Sequence, residues 1–380
     1  MRYIFLDHYY NSTKLKTKDM IHFHRHLLPG ALSIGMLALT ACSSGDEPQP
    51  TQTNNDSRPI RFAATTLSTK ADITTNSLTS FNVYAYTGKG TSPSVFMNNV
   101  KVTKSATNLW TYSPVEYWPV GKKVDFYAFA PAEWMDGYSP LHGVPYANFY
   151  ADEDLIYAVS PDLQGNSGVP NAQVVFNFRH ALSKLTLKLS STRDDLRVAV
   201  SNVAVAGLNI AGNFHFPSTS TARSSGVDGD GYWTDQNTVA ANIFHYSQAA
   251  SDIIILTPTP NDLSAYEFGG SKYVIPQPLI WEGTGLGNDM YITVMGSVYD
   301  KETGAKLWPN ANTPPENIVQ GSTYGDGLLK FPLKTSAISE FKPGVSYTYN
   351  LVVNANSDMG AIEFGAPQVE SYVEVSSLYD

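Results

Sequence analysis

Cysteine is almost missing. Cys42 is the single one in 380 residues, so no disulfide can join two parts of the chain and the fold must be held by its cores alone. Charged residues are also scarce, at 16%, and their excess is acidic, with 34 Asp and Glu against 25 Lys and Arg. The 41 residues before Cys42 carry five basic and two acidic side chains, so the formal charge moves from −9 to −12 once they are removed. Such a surface argues against nucleic acid as a partner. A membrane-spanning run is absent too. The one apolar stretch, Leu27 to Ala41, has 15 residues and contains Pro29, Gly30 and Gly35, where a span needs roughly 20 residues. In the first half of the remaining chain no stretch of ten or more residues spaces its apolar side chains by three and four, so helix is expected to be a minority element.

What is present instead is β composition. Apolar residues at 42% and aromatics at 12% exclude a disordered chain, and 23 Tyr, 28 Gly and 23 Pro fit a β protein displayed outside the cell. The short apolar run behind Arg25 ends on Leu39-Thr40-Ala41-Cys42 and reads as a secretory signal. Its Leu-x-Ala-Cys end resembles the bacterial lipobox, in which the cysteine sulfur takes a diacylglycerol and becomes the first mature residue. Residues 1–41 are therefore expected to be a signal peptide and Cys42 the lipid attachment site. Met1 to Asp19 adds nothing a signal peptide needs, which makes Met20 a candidate true start. His22, His24 and His26 form a metal-like run inside the removed segment, so no metal is expected. Residues 42–57 are polar and read as a solvated tether.

From Pro59 onward the apolar period is two. Ile60, Phe62 and Ala64 form a first strand, and Phe81, Val83 and Ala85 oppose Tyr84 and Tyr86 in a second. Val95 to Thr103 and Leu109 to Tyr117 are expected to pair as a hairpin, followed by strands at Val124 to Ala130 and Leu155 to Ser160. Val174, Phe176 and Phe178 hold the even positions, whereas Leu185, Leu187 and Leu189 hold the odd ones. A one-residue shift exchanges the faces of a strand, so Arg179 to Ser183 must be a bulge, a bend or a crossing between two cores. The expected division is an N-terminal β-sandwich over 58–180 and a C-terminal one over 181–380. Val198 to Ala206, Asn213 to Phe216, Ile253 to Thr257, Tyr273 to Pro278, Met290 to Val298 and Ser346 to Val353 supply further strands. Ile253 to Leu256, apolar on both faces, is expected to be central. The final stretch, 362–380, alternates Val369, Val373 and Val375 with polar residues and can either close its own sheet or complete one elsewhere.

Sites for chemistry are few. Val227-Asp228-Gly229-Asp230-Gly231 lacks the later carboxylates of a calcium loop and reads as a turn. Gly283, Gly285 and Gly287 follow Trp281 without the strand-turn-helix setting that cradles phosphate. Asp152-Glu153-Asp154 reads as a solvated loop tip, and His180 as a structural histidine with no Ser or Asp constellation around it. Trp134, Trp233 and Trp308 read as packing under loops rather than sugar platforms. Neither catalysis nor a cofactor is indicated.

Three blocks then stand out: WPVGKKVDFYAFAP (Trp118 to Pro131), FNFRHALSKLTLKL (Phe176 to Leu189) and SYTYNLVVN (Ser346 to Asn354). With the lipobox in front, they resemble the fimbrillin-like proteins of Bacteroidales, the subunits of type V pili. The resemblance implies an all-β chain of two tandem transthyretin-like sandwiches, exported as an outer-membrane lipoprotein to the cell surface. It also implies a protease that cuts behind the first strand, removing Ile60, Phe62 and Ala64 and opening a groove. A C-terminal strand of another subunit, here carrying Val369, Val373 and Val375, would fill that groove. The cut is expected at Lys70-Ala71, where the family commonly has arginine. Arg61 and Arg58 are alternatives, but Arg61 lies inside the strand and Arg58 precedes Pro59. Expected partners are other pilus subunits, outer-membrane lipid through Cys42, the processing protease and a host or bacterial surface ligand. The competing expectations are an uncleaved pilus anchor and a non-polymerising surface lipoprotein that binds glycan or host protein.

Overall fold

The structure is a computed structural model that describes residues 58–66, 77–88, 92–131, 138–147, 153–165, 173–217, 231–238, 253–263, 271–283, 285, 287–319, 321, 325–355, 362–363 and 368–371. All of them belong to one compact unit, Asn54–Asp380. The first eight strands are β1 (Arg61–Thr66), β2 (Ser80–Thr87), β3 (Ser94–Lys104), β4 (Trp110–Thr111), β5 (Val124–Ala130), β6 (Val144–Ala147), β7 (Ile156–Leu163) and β8 (Gln173–His180). Next come β9 (Ser183–Ser190), β10 (Leu196–Ala206), β11 (Asn209–His215), β12 (Tyr232–Thr238), β13 (Ile254–Ile255), β14 (Asn261–Asp262) and β15 (Lys272–Val274). The last are β16 (Tyr291–Asp300), β17 (Lys306–Trp308), β18 (Gly327–Pro332), β19 (Val345–Val352), β20 (Asn354–Ala355), β21 (Ile362–Glu363) and β22 (Gln368–Ser371). No α-helix occurs among the described residues, and a short 3-10 turn spans Pro315–Asn317. The chain is all-β.

Strands β1-β8-β7-β5-β2-β3-β4 form a seven-stranded sheet in that order. Period-two alternation decides what each of its faces buries. Phe81, Val83 and Ala85 of β2 join Val124, Phe126 and Ala128 of β5 and Val174, Phe176 and Phe178 of β8 in one core. Tyr84 and Tyr86 point the other way, with Tyr127 and Phe129, into an aromatic layer completed by Phe214 of the β12-β11-β6 sheet and Phe216 just beyond β11. Both faces of β2 are therefore buried, as its aromatic content on odd and even positions requires.

The exchange of faces at Arg179 to Ser183 is visible atom by atom. Val174, Phe176 and Phe178 lie in the first core, Ala181 and Leu182 in the aromatic layer, and Leu185, Leu187 and Leu189 in a third cluster. That third cluster is enclosed by two five-stranded sheets. One holds β13-β10-β16-β17 with β18 also on β16, and the other holds β14-β9-β19-β22 with β15 also on β9. Strands β9 and β19 run parallel, whereas β10 and β16 are antiparallel with a bulge between Val200 and Asn202. Gly296 faces that irregularity, and a Cβ there would lie 2.3 Å from the Ala199 carbonyl oxygen.

Two expectations are corrected. Ile253 to Leu256 is not central: among the described residues β13 is a two-residue edge strand paired only with β10, and Ile253 and Ile255 are 37% and 44% exposed while Ile254 and Leu256 are buried. Four branched residues in a row satisfied the pattern of a doubly buried strand, yet only the even pair meets the core. The hairpin between Val95 to Thr103 and Leu109 to Tyr117 is also shorter than expected. Only Thr103↔Thr111 and Lys104↔Trp110 pair, and Tyr117 bridges to Pro59 instead.

Candidate functional site

Strand β1 lies at the end of the seven-stranded sheet and pairs in parallel with β8, from Arg61↔Gln173 to Thr66↔Phe178. Its approach is held on the opposite edge as well. The Ile60 N–H donates to the Glu116 carbonyl at 2.8 Å, and the Trp118 N–H donates to the Arg58 carbonyl at 2.9 Å. The Tyr112 hydroxyl donates to the Ile60 carbonyl at 2.9 Å. Burial pushes the Tyr112 phenol above its ordinary range.

The inward side chains are those the alternation picks out. Ile60 is 1% exposed, Phe62 3% and Ala64 8%, while Arg61 points outward. Phe62 is surrounded by four rings: Phe176 stacked at 5.6 Å, Tyr112 tilted at 5.1 Å, and Phe126 and Phe81 edge-on at 6.1 and 6.5 Å between centroids. Such a seat fits one planar side chain and little else. Without β1, the β8 backbone from Gln173 to Phe178 would lose its ladder on that edge. On its other side β8 pairs with β7 only at Tyr157↔Arg179 and Ile156↔His180. An apolar slot beside an unpaired strand edge is adhesive towards an incoming strand.

The other assembly residues are placed unevenly. Val369 lies in β22, where it pairs with Tyr347 of β19, so this part of the C-terminal stretch closes its own sheet. Cys42, Lys70, Ala71, Val373 and Val375 fall outside the described residues.

The residues weighed for other chemistry have structural partners. The glycine turn after Trp281 is closed on Asp289, whose carboxylate accepts from the Glu282 N–H and, at 2.7 Å, from the Gly285 N–H. Gly231 donates its N–H to the Tyr157 hydroxyl at 2.7 Å, and Val227 to Asp230 fall outside the described residues. The Trp233 indole donates to the Ala181 carbonyl, and Trp308 is buried in the third cluster; Trp134 is outside the described residues.

One pairing was missed by sequence reasoning. Asp154 is 6% exposed rather than part of a solvated tip, and its Oδ2 lies 2.6 Å from His180 Nδ1. The two residues are 26 positions apart and meet because Ile156 pairs with His180 across β7 and β8. A carboxylate beside an apolar run at the start of a strand was the available signal. Among the described residues no cluster of three or more His, Cys, Asp or Glu could hold a metal ion.

Against known proteins, the model of the fimbrillin-like family matches residues 65–370. No curated protein matches. Among solved structures, a candidate cell adhesion protein from Bacteroides uniformis is 15% identical, covering 85% of this chain and all of its own length, with a TM-score of 0.45. The tip fimbrial protein Mfa3 from Porphyromonas gingivalis is 9% identical, over 82% of this chain and 99% of its own, with a TM-score of 0.39. The fimbrial anchor protein Mfa2 of the same organism is 11% identical, over 83% and 98%, with a TM-score of 0.30.

Proposed function

The chain belongs to the fimbrillin-like family, and on that premise we propose that it is a structural subunit of a surface fimbrium, built in by strand exchange and mediating adhesion. The observation that carries the exchange is β1 itself: a separate strand, edge-paired, with Ile60, Phe62 and Ala64 inserted into a core made by other segments. In this reading Cys42 takes lipid and tethers the chain to the outer membrane. A surface protease then cuts at Lys70-Ala71, and β1 leaves with the lipid. The strand that replaces it comes from residues 362–380 of another subunit, which must first leave its pairing with β19 there, with Val369, Val373 and Val375 as its apolar knobs. Cleavage at Arg61 is disfavoured, since that bond lies within a paired strand and would leave Phe62 and Ala64 behind. Residues 58–180 and 181–380 act as two sandwich domains, one receiving the strand and the other donating it. No part of the reading requires catalysis.

Lys70, where relatives commonly carry arginine, favours a second reading. If the bond is not cut, β1 stays seated and Cys42 remains a lasting anchor at the base of the fimbrium. Treating the purified protein with a trypsin-like protease, then running unboiled SDS electrophoresis, separates the two. A ladder that appears only after a cut near Lys70 and is lost on deleting residues 362–380 supports exchange. Monomer alone after complete cleavage overturns it.

A further inference from the structure

A second concave feature lies between β3 and the segment 138–142, beside β2. We propose that this groove is a binding site for neutral carbohydrate. The inference goes beyond assembly and does not depend on it, because the groove shares no residue with β1, β8 or β22.

The groove has a volume of about 490 Å³, within the size range of small-molecule sites. Among its described lining residues none carries a fixed charge. Among those described residues there is no Lys, Arg, Asp or Glu to pair with a charged ligand, His142 being the one side chain that can take up a positive charge, and an uncharged ligand is the better match. What the lining does offer is an alternation of amide and hydroxyl groups with apolar surface. Asn98, Asn99 and Ser139 supply polar atoms, while Val95, Tyr138 and Leu141, exposed by 62%, 46% and 37%, supply C–H and ring faces. Sugars present that same alternation, with hydroxyls around the rim of each ring and C–H bonds on its faces.

The walls are built rather than incidental. In the β2–β3 ladder Val83 pairs with Val100 and Ala85 with Met97, so Asn98 and Asn99 both stand opposite the single residue Tyr84. Asn99 has φ of 53°, in the left-handed region, and its side-chain oxygen accepts from the Asn82 amide. A bulge of this kind re-aims side chains and recurs beside binding sites. Across the groove, the Tyr86 hydroxyl lies 2.9 Å from Ser139 Oγ, and the Leu141 N–H donates to that same oxygen at 3.3 Å. The His142 N–H donates to the Ser139 carbonyl at 3.1 Å, which closes the turn. Both walls are therefore fixed to β2 before any ligand arrives, which limits the ordering cost of binding.

The test uses the full chain with maltotriose, cellotriose and lacto-N-tetraose as neutral probes and 3′-sialyllactose as a charged one, read by saturation-transfer NMR and calorimetry. At least one neutral probe is expected to bind saturably. Tyr138→Ala and Asn98→Ala, both at exposed positions, should each weaken it about tenfold, roughly one lost stacking or hydrogen-bonding contact. Leu109→Ala, exposed and outside the groove, should leave it unchanged. Matching melting curves for all three variants establish that the fold is intact. Absence of saturable binding by every neutral probe, or binding untouched by both groove variants, overturns the site. Preference for 3′-sialyllactose overturns the neutral class.

Discussion

Replacing Phe62 by alanine measures how much of the fold rests on β1. Phe62 is 3% exposed and ringed by Phe81, Tyr112, Phe126 and Phe176, each anchored in a different segment. Four aromatic rings, three on strands β2, β5 and β8 and the fourth, Tyr112, held by its hydroxyl on the Ile60 carbonyl, cannot readily close over the space a lost phenyl leaves. The cost should therefore fall in the usual range for a buried Phe→Ala change, about 3–5 kcal/mol. Unfolding entropy for the roughly 230 described residues is about 0.5 kcal/mol per degree, so the melting temperature should drop by about 6–10 °C. Arg61→Ala provides the internal control: it is on the same strand, one residue away, but outward, and should change stability by no more than about 0.5 kcal/mol. Calorimetry or circular dichroism at neutral pH on the full chain reads both. A drop below about 1 °C for Phe62→Ala, or equal drops for the two variants, would refute the claim that β1 is held by its inward knobs. The same difference bounds what a replacement strand must supply to displace β1.

Three further outcomes follow from other parts of the fold. His180→Ala leaves the Asp154 carboxylate buried without its partner and should cost about 3–5 kcal/mol, more than half of it recovered when Asp154→Ala is added; a thermal double-mutant cycle reads this. Tyr127 is pushed up to about 12, mainly by burial, so the folded state keeps its proton longer than the unfolded chain with a value near 10. Its stabilising effect should be complete below about pH 10 and lost as pH rises towards 12, and Tyr127→Phe should flatten that loss in melting curves taken across the window. Ile255→Lys at the exposed face of β13 should shift stability by no more than about 0.5 kcal/mol, whereas Ile254→Ala should cost about 2–5 kcal/mol, as read by urea denaturation.

Much of the fold was legible because its strands obey a single rule. Ile60, Phe62 and Ala64, then Val174, Phe176 and Phe178, then Leu185, Leu187 and Leu189 each alternate cleanly, and each set is buried as a set. The shift of phase at Arg179 to Ser183 could be read because a change of parity has no other local explanation. What was not legible depends on partners far along the chain. Whether Ile253 to Leu256 lies at an edge is decided by how many neighbours its sheet provides, which local pattern does not encode. That Asp154 meets His180 depends on strand register, and the Asn98–Asn99 bulge depends on a mismatch with β2 that neither strand shows alone.

The parallel pairing of β1 with β8 has a mechanical consequence. Tension applied at the amino end of β1 and at the carboxyl end of β8 pulls the two strands in opposite directions along their common axis. The bonds of the ladder then share the load in shear instead of opening one after another from an end. Beyond β8 the load passes through Ala181 and Leu182, both essentially unexposed, directly into β9 and the next core. A chain with a single cysteine, and so no internal disulfide, thus carries force through a half-buried, nearly uninterrupted line of strand, and its resistance depends on the direction of the pull.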